Sequence, residues 1–421
     1  GRCAARAGSG MRVSVFSLSG ELVAALEAEP WWRLREVLAA IDAAQGPQPR
    51  RVRVFHGSSE LAGPASLADL VVAEGAQLTL VVAPRLQVAS GGEDGSLRVW
   101  NTANGVSRAM SGHTEPIRTV AFSPNGEEVL TASTDRTAKT WSTSTAACLA
   151  TLEGHRDAVF SAAYSADGEK IVTASQDWTA RLWDARTGGC LLSFEGHRGW
   201  VMSAVFTPDG KEVLTASQGR TARLWNAATG ECTRTFEGHR SLVRSAAISL
   251  DGATLITASQ DRTAKLWCVA TGKCLHTLEG HREAVRVAVF SPSGTEALTA
   301  SVDSTTKLWN VASGALLTVL RGHTQGVYAA AFSPDGDQVL TASGSGLVKL
   351  WAKDTGECLV SFEGHNDAVR SVAFSPDGRE VLTGGQDATV RVWCAATGEC
   401  VRSLNGGHRG PVLSVVCSQA G

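Results

Sequence analysis

The sequence predicts a mainly β protein: a closed ring of small four-stranded antiparallel sheets, preceded by a small α+β unit. Three observations carry this. First, the dipeptide Gly-His recurs at residues 112, 154, 196, 238, 280, 322 and 364 in steps of 42, and Trp141, Trp183, Trp225, Trp267, Trp309, Trp351 and Trp393 keep the same step. A fixed period of this length means one supersecondary unit copied many times, each too small to bury its apolar face alone. Second, turn residues divide every copy into short alternating runs. Third, residues before Leu86 show no such period and carry a helical apolar stripe instead.

The copy over residues 369–404 shows the pattern. Val369 to Ser375 alternates apolar and polar, Pro376-Asp377-Gly378 turns, and Glu380 to Gly384 is a second strand. Gln386-Asp387-Ala388 turns again before a third strand, Thr389 to Trp393. Ala396-Thr397-Gly398 precedes a fourth, Cys400 to Leu404. Four short strands with proline and glycine at the turns describe a propeller blade. Seven Gly-His pairs each lead such a set. An eighth, Gly407-His408, leads only Val412 to Cys417, while Gln87–Ser90, Ser96–Trp100 and Val106–Met110 lack a first strand. One strand plus three makes an eighth blade, so an eight-bladed ring is expected, closed by its terminal strands. A seven-bladed alternative would leave the strand patterns at both ends unused, and closure removes free sheet edges.

The pieces Gly-His, Ser-Pro-Asp-Gly, Thr-Ala-Ser-Gln-Asp and Leu-Trp-Asp resemble the WD-repeat family over residues 86–417. The resemblance implies a buried polar set in each blade, in one copy His155, Ser175, Asp177 and Trp183. Buried indole and imidazole nitrogens need such partners. Gly219 and Ser345 stand where the aspartate belongs, and Gly385 and Gly92 where the serine does, so those blades are expected to be less rigid. The regular repetition of these groups marks them as structural rather than catalytic.

From Met11 the chain reads strand (Met11–Leu18), turn, strand (Leu22–Ala28), then a helix with Leu34, Val37, Leu38 and Ile41 on one face, ending at Gly46-Pro47. Strands at Val52–His56 and Leu78–Val82 complete the unit. With Ser-Leu-Ser-Gly-Glu at its start and Leu-Thr-Leu-Val at its end, this order resembles ubiquitin from Met11 to Val82. The expected layout is therefore a disordered extension over 1–10, a ubiquitin-like domain of β-grasp type over 11–84, and a propeller over 85–421. Ala83-Pro84-Arg85 runs on without a free Gly-Gly, so conjugation is not expected. Leu18, Phe55 and Val81 occupy the places of ubiquitin's exposed apolar patch and are candidates for partner binding; the alternative is that Phe55 and Val81 merely fill the core.

Composition narrows the function. With 39 Lys+Arg against 41 Asp+Glu, net charge is near −2, which argues against a general nucleic-acid or membrane-surface role. No apolar run reaches membrane-spanning length and no leader pattern is visible, so a cytoplasmic or nuclear setting is expected. Of the 10 cysteines, Cys148, Cys190, Cys232, Cys274, Cys358 and Cys400 fall at one repeated place and read as copies of one packing position. With no CxxC and one repeated histidine per blade, no metal site is expected. No phosphate loop or nucleophile motif appears, and no cofactor, catalytic residue or enzymatic activity is expected. The cations two residues before each blade tryptophan, such as Lys139 and Lys307, follow the repeat around the ring.

Function is sought where the copies differ. The second residue of the first strand is Arg118, Phe160, Met202, Arg244, Arg286, Tyr328, Arg370 and Leu413 around the ring. In the family this strand lines the central channel and its start opens on a face that binds partners. Arginine and aromatic residues are the types enriched at binding hot spots, and four arginines at a channel mouth favour an acidic or phosphorylated segment. A solvated edge that drifts freely would also vary. One copy, IVTASQDWTARLWDAR over 171–186, holds Trp183-Asp184 with Arg186 two residues on. It resembles the box by which WD-repeat proteins dock on the adaptor of cullin-four ubiquitin ligases. The expected function is a non-catalytic protein-interaction scaffold. The alternative is a substrate receptor or adaptor in ubiquitin signalling, with ubiquitin receptors or that ligase adaptor as partners.

Overall fold

A computed structural model of the chain describes residues 86–102 and 105–418 and, before them, 11–17, 22–28, 37, 52–56, 59–60 and 76–82. The chain divides into two compact units at Arg85/Leu86.

The first unit holds strands β1 (Met11–Ser17), β2 (Leu22–Ala28), β3 (Val52–His56), β4 (Ser59–Glu60) and β5 (Ala76–Val82) in one sheet of order β2-β1-β5-β3-β4. Its central pair, β1 and β5, is parallel, with Val13 opposite Ala76 and Val15 opposite Leu78. Val13, Val15 and Leu78 are buried, as the alternation of β1 demands. Of the expected helix only Val37 is described, helical and fully buried. Leu34, Leu38, Ile41 and Gly46 lie outside the described residues, as do residues 1–10.

The second unit is an eight-bladed β-propeller. Blade 1 comprises β9–β12 (Ile117–Phe122, Glu128–Ser133, Ala138–Ser142, Cys148–Leu152), and blade 2 β13–β16 (Val159–Tyr164, Lys170–Ser175, Ala180–Asp184, Cys190–Phe194). Blades 3 to 7 repeat the plan from Val201, Val243, Val285, Val327 and Val369. Blade 8 joins the chain ends: β37 (Val412–Cys417) pairs with β6 (Gln87–Gly92), followed by β7 (Leu97–Asn101) and β8 (Ser107–Met110). Each first strand touches the first strands of both neighbouring blades, so these strands form the inner circle.

Burial follows this order. The second strand is covered on both faces, and Glu128–Ser133 reads nearly continuously buried. The first and third strands mix buried and half-buried residues, and the fourth is mostly uncovered. Neighbouring blades share apolar cores: Val172, Leu182 and Phe194 of blade 2 meet Val201, Val213 and Trp225 of blade 3. Alanine occupies the tight spot on the second strand in blades 1 to 6, such as Ala174. In blade 8 the spot is Gly91, where a Cβ would come within 2.5 Å of the Ile117 side chain. Two expectations are corrected. The repeated cysteines, Cys148 to Cys400, start the outer strand and are exposed, so they are not a packing position. The serine is not the hydroxyl of the buried polar set, as the site geometry shows.

Candidate recognition face

In every blade Trp Nε1 donates to a hydroxyl on the second strand, and that hydroxyl also meets His Nε2. In blade 2 Trp183 reaches Thr173 Oγ1 at 2.8 Å and His155 Nε2 lies 2.7 Å from the same oxygen. His155 Nδ1 meets Asp177 at 2.8 Å. The assignment that satisfies every hydrogen runs Trp N–H to Thr, Thr O–H to His Nε2, and His Nδ1–H to Asp. Thr173 therefore takes the place expected for Ser175. Ser175 does something else: its hydroxyl donates to Asp157 O at 3.0 Å and accepts from Asp177 N at 3.1 Å, tying turn to loop. Glycine at that place leaves the set intact. Blade 7, with Gly385, keeps Trp393–Thr383–His365–Asp387, and blade 8, with Gly92, uses Ser90. The expected loss of rigidity at Gly385 and Gly92 thus has no basis in this network.

Where the acid is replaced, the network is broken. His197 in blade 3 and His323 in blade 6 are buried and their Nδ1 atoms have no partner. Burial, with a smaller push from Arg223, takes His197 down to about 3, and burial with Lys349 takes His323 to about 4.

The varied position has a structural cause. The first-strand register slips there in every blade, as between Val159 and Ser161, so Phe160 sits in a bulge. A bulged residue leaves the ladder and its side chain is re-aimed. Arg118, Phe160, Met202, Arg244, Arg286, Tyr328, Arg370 and Leu413 all occupy such bulges, at the end of the first strand next to the Gly-His loop. They do not form one ring of contacts. Tyr328 lies between two guanidiniums, Arg286 at 4.7 Å and Arg370 at 4.4 Å from its ring centre. Burial, then the charges of Arg244 and Arg370, pull Arg286 down to about 10, still protonated at neutral pH. Among the described residues none of these three arginines has an acidic partner. Phe160 instead packs on Trp200, ring centres 5.9 Å apart. No hydrogen bond or ring contact joins Arg118, Met202 or Leu413 to either cluster among the described residues.

Two aromatic residues escape a reading based on the bulge position alone. Trp200 is 37% exposed beside Phe160, and Trp178 is 53% exposed on a turn at the same end of blade 2, at φ +71°. The signal was the tryptophan count: of 12, eight repeat with the blades, leaving Trp31, Trp32, Trp178 and Trp200. This end of the ring thus has a cationic sector around blades 4 to 7 and an aromatic sector around blades 2 and 3.

The other candidates lie elsewhere. Asp184 and Arg186 are at the opposite end of the blades, lining a cavity of about 750 Å³ with Pro124, Leu149 and Asp167. Asp184 Oδ1 accepts from Thr187 N and Oγ1, both at 2.7 Å, so this carboxylate is engaged in shaping its turn. Leu18 lies outside the described residues, and Phe55 and Val81 are on the paired strands β3 and β5. Among the described residues no His, Cys, Asp and Glu side chains cluster as a metal site would require. No helix among them is long and apolar enough to cross a membrane.

Comparison with known proteins agrees with this geometry. Over 41 residues the chain is 49% identical to a ribosome biogenesis protein BOP1 homolog of Culex quinquefasciatus, a stretch covering 10% of this chain and 5% of that protein. The crystal structure of the computationally designed Ika8 protein is similar with a TM-score of 0.67 and 29% identity, covering 73% of this chain and 93% of that one. The WD40 family (WD domain, G-beta repeat) matches seven times, at residues 105–142, 146–184, 188–226, 230–268, 272–310, 314–352 and 356–394. More than half of the chain is so matched, and the chain belongs to the WD40 family.

Proposed function

We propose that the protein is a non-catalytic interaction scaffold whose propeller receives an acidic or phosphorylated segment of a partner protein on the face bearing Arg244, Arg286, Tyr328 and Arg370. The observation that carries this is the stack of Arg286 and Arg370 on Tyr328, cations held together without an acid. An anionic segment relieves that repulsion, and hydrogen bonds to charged groups contribute about 1.5–3 kcal/mol each. WD40 propellers generally bind other proteins, which fits. The BOP1 homolog match spans about one repeat and supports the repeat more than a role in ribosome biogenesis.

The test is affinity purification with mass spectrometry, before and after phosphatase treatment, on wild type and an Arg286→Ala, Arg370→Ala double variant. Partners retained by wild type and lost by the variant are expected, with Lys139→Ala as an unaffected control. Equal partner sets would discard the cationic sector as the binding surface. The N-terminal unit is read as a ubiquitin-like head with Phe55 and Val81 in its recognition patch, in support of which stands its sheet order with a parallel central pair. A second reading, docking on a ubiquitin-ligase adaptor, draws on exposed Arg186 beside the 750 Å³ cavity. Arg186→Asp abolishing co-purification of that adaptor would favour it.

A further inference from the structure

Blade 3 has lost its acid and kept the groups that serve one. In blade 2 the Asp177 carboxylate receives four donors: His155 Nδ1 at 2.8 Å, Arg156 N at 2.9 Å, Thr179 N at 3.0 Å and Thr179 Oγ1 at 2.6 Å. Blades 4 and 5 repeat this set around Asp261 and Asp303. Blade 3 carries Gly219 at the acid's place, with His197, Arg198 and Thr221 at the donor positions. The turn itself has not changed: Gly219 N donates to Ser217 Oγ at 3.0 Å, as Asp177 N does to Ser175. His197 is only 5% exposed and its Nδ1 has no partner.

Beside these donors opens a cavity of about 410 Å³, between blades 3 and 4. Arg198, Arg220 and Arg223 line it with Thr221, and Glu237 is its one acid. None of the three arginines is ion-paired among the described residues, and Arg223 Nε is buried without a hydrogen bond. Losing the acid does not by itself make such a place. In blade 6 Ser345 replaces it, but Leu347 replaces the threonine, Gly346 and Thr324 stand where Arg220 and Arg198 do, and Ser343 bonds Ser345 at 2.8 Å.

We propose that blade 3 is a binding site for an oxyanion, a carboxylate or phosphate group brought by a ligand, which takes over the donors His197 Nδ1, Arg198 N–H and Thr221. Arg198, Arg220 and Arg223 supply the charge that selects an anion, through charge-assisted hydrogen bonds. The site stands in a different blade from the Arg286–Tyr328–Arg370 stack and does not depend on it. The oxyanion can arrive free or on a polypeptide side chain.

Calorimetric titration of the full chain at constant ionic strength tests this, with inorganic phosphate in one arm and a short acidic peptide carrying one phosphoserine in the other. Two variants remove the site differently. Gly219→Asp fills it from within, at a backbone position whose φ suits any residue. Arg220→Gly deletes a guanidinium at φ +67°, where glycine is at ease, so the fold is kept even if Gly219→Asp fails. Wild type is expected to bind at least one probe. Both variants should lose about tenfold in affinity, and should lose it equally in an Arg286→Ala, Arg370→Ala background, where the stack cannot hold the probe. Binding of phosphate as tight as peptide identifies a free anion; binding of peptide alone identifies a side chain. No binding of either probe by wild type, undiminished binding by the folded variants, or loss only in the Arg286, Arg370 variant would overturn the proposal.

Discussion

Blades 2 and 3 share a strand register, a buried tryptophan and a threonine–histidine pair, and their buried polar sets differ by one carboxylate. In blade 2 burial alone would raise Asp177, but hydrogen bonds from His155 and Thr179 outweigh it and hold the acid well below the usual range. In blade 3 nothing answers His197 Nδ1, and burial disfavours the charged imidazole. Yet Trp225 still donates to Thr215 at 2.8 Å, as Trp183 does to Thr173. The acid is therefore dispensable for the shape of a blade. What it supplies is a partner for a buried imidazole, and with it tolerance to acid.

The largest effect should come from the hydroxyl that both blades keep. Thr173→Val leaves Trp183 Nε1 and His155 Nε2 without partners at once, and each buried unpaired group costs about 1–3 kcal/mol. Denaturant unfolding should show a loss of about 3 kcal/mol; a loss below about 1 kcal/mol would mean that the hydroxyl is not the centre of the set. Next, Asp177→Gly turns blade 2 into a second blade 3 and should cost about 2 kcal/mol by the same measurement. An unchanged midpoint would show that the carboxylate does not stabilise its blade.

A smaller gain is expected from the reverse change. Gly219→Asp gives His197 its partner and should add about 1 kcal/mol at neutral pH. That gain should grow in acid. Folded His197 sits near 3 against an ordinary 6.5, so the unfolded chain binds the proton first. Stability is fully present above pH 6.5 and is lost as pH falls from there toward about 3. The aspartates of the complete blades, lowered from 3.8, begin to cost stability only below about pH 4. Melting temperatures of wild type and Gly219→Asp should therefore separate below pH 6.5; parallel curves would show that His197 is not the titrating group. Least of all, Ser345→Asp in blade 6 should gain under about 0.5 kcal/mol, because Leu347 offers no hydroxyl to the new acid. A gain equal to that of Gly219→Asp would show that the threonine hydroxyl contributes nothing.

How much of this could be read from the chain differs by level. The 42-residue step and the turn residues carry the blade plan, and the unmatched strands at Gln87–Met110 and Val412–Cys417 carry the number of blades. The network was legible as to its histidine, aspartate and tryptophan but not its hydroxyl. Thr173 and Ser175 point to one face of the same strand, and only the depth reached by His155 selects between them. The varied position was visible as variation; that Tyr328 gathers two arginines while Phe160 turns to Trp200 depends on contacts between blades, which a repeat alignment does not contain. Gly219 stood out as a departure, but its meaning lies in donors contributed by His197, Arg198 and Thr221, up to 24 positions apart. The repeated cysteines misled because periodicity reports a shared place in the blade, not whether that place is covered.

Blade 8 sets the order in which the protein can be completed. His408 bonds Ser90 across 318 positions of chain, and β37 pairs with β6. During synthesis β6, β7 and β8 emerge early, and their inner edge stays bare while blades 1 to 7 form behind them. Only when Val412–Cys417 leaves the ribosome can that edge be covered. A nascent chain stalled within blade 7 thus carries an open strand on each side of the gap, the kind of edge that recruits other chains. The six residues of β37 act as a latch on maturation as well as a strand.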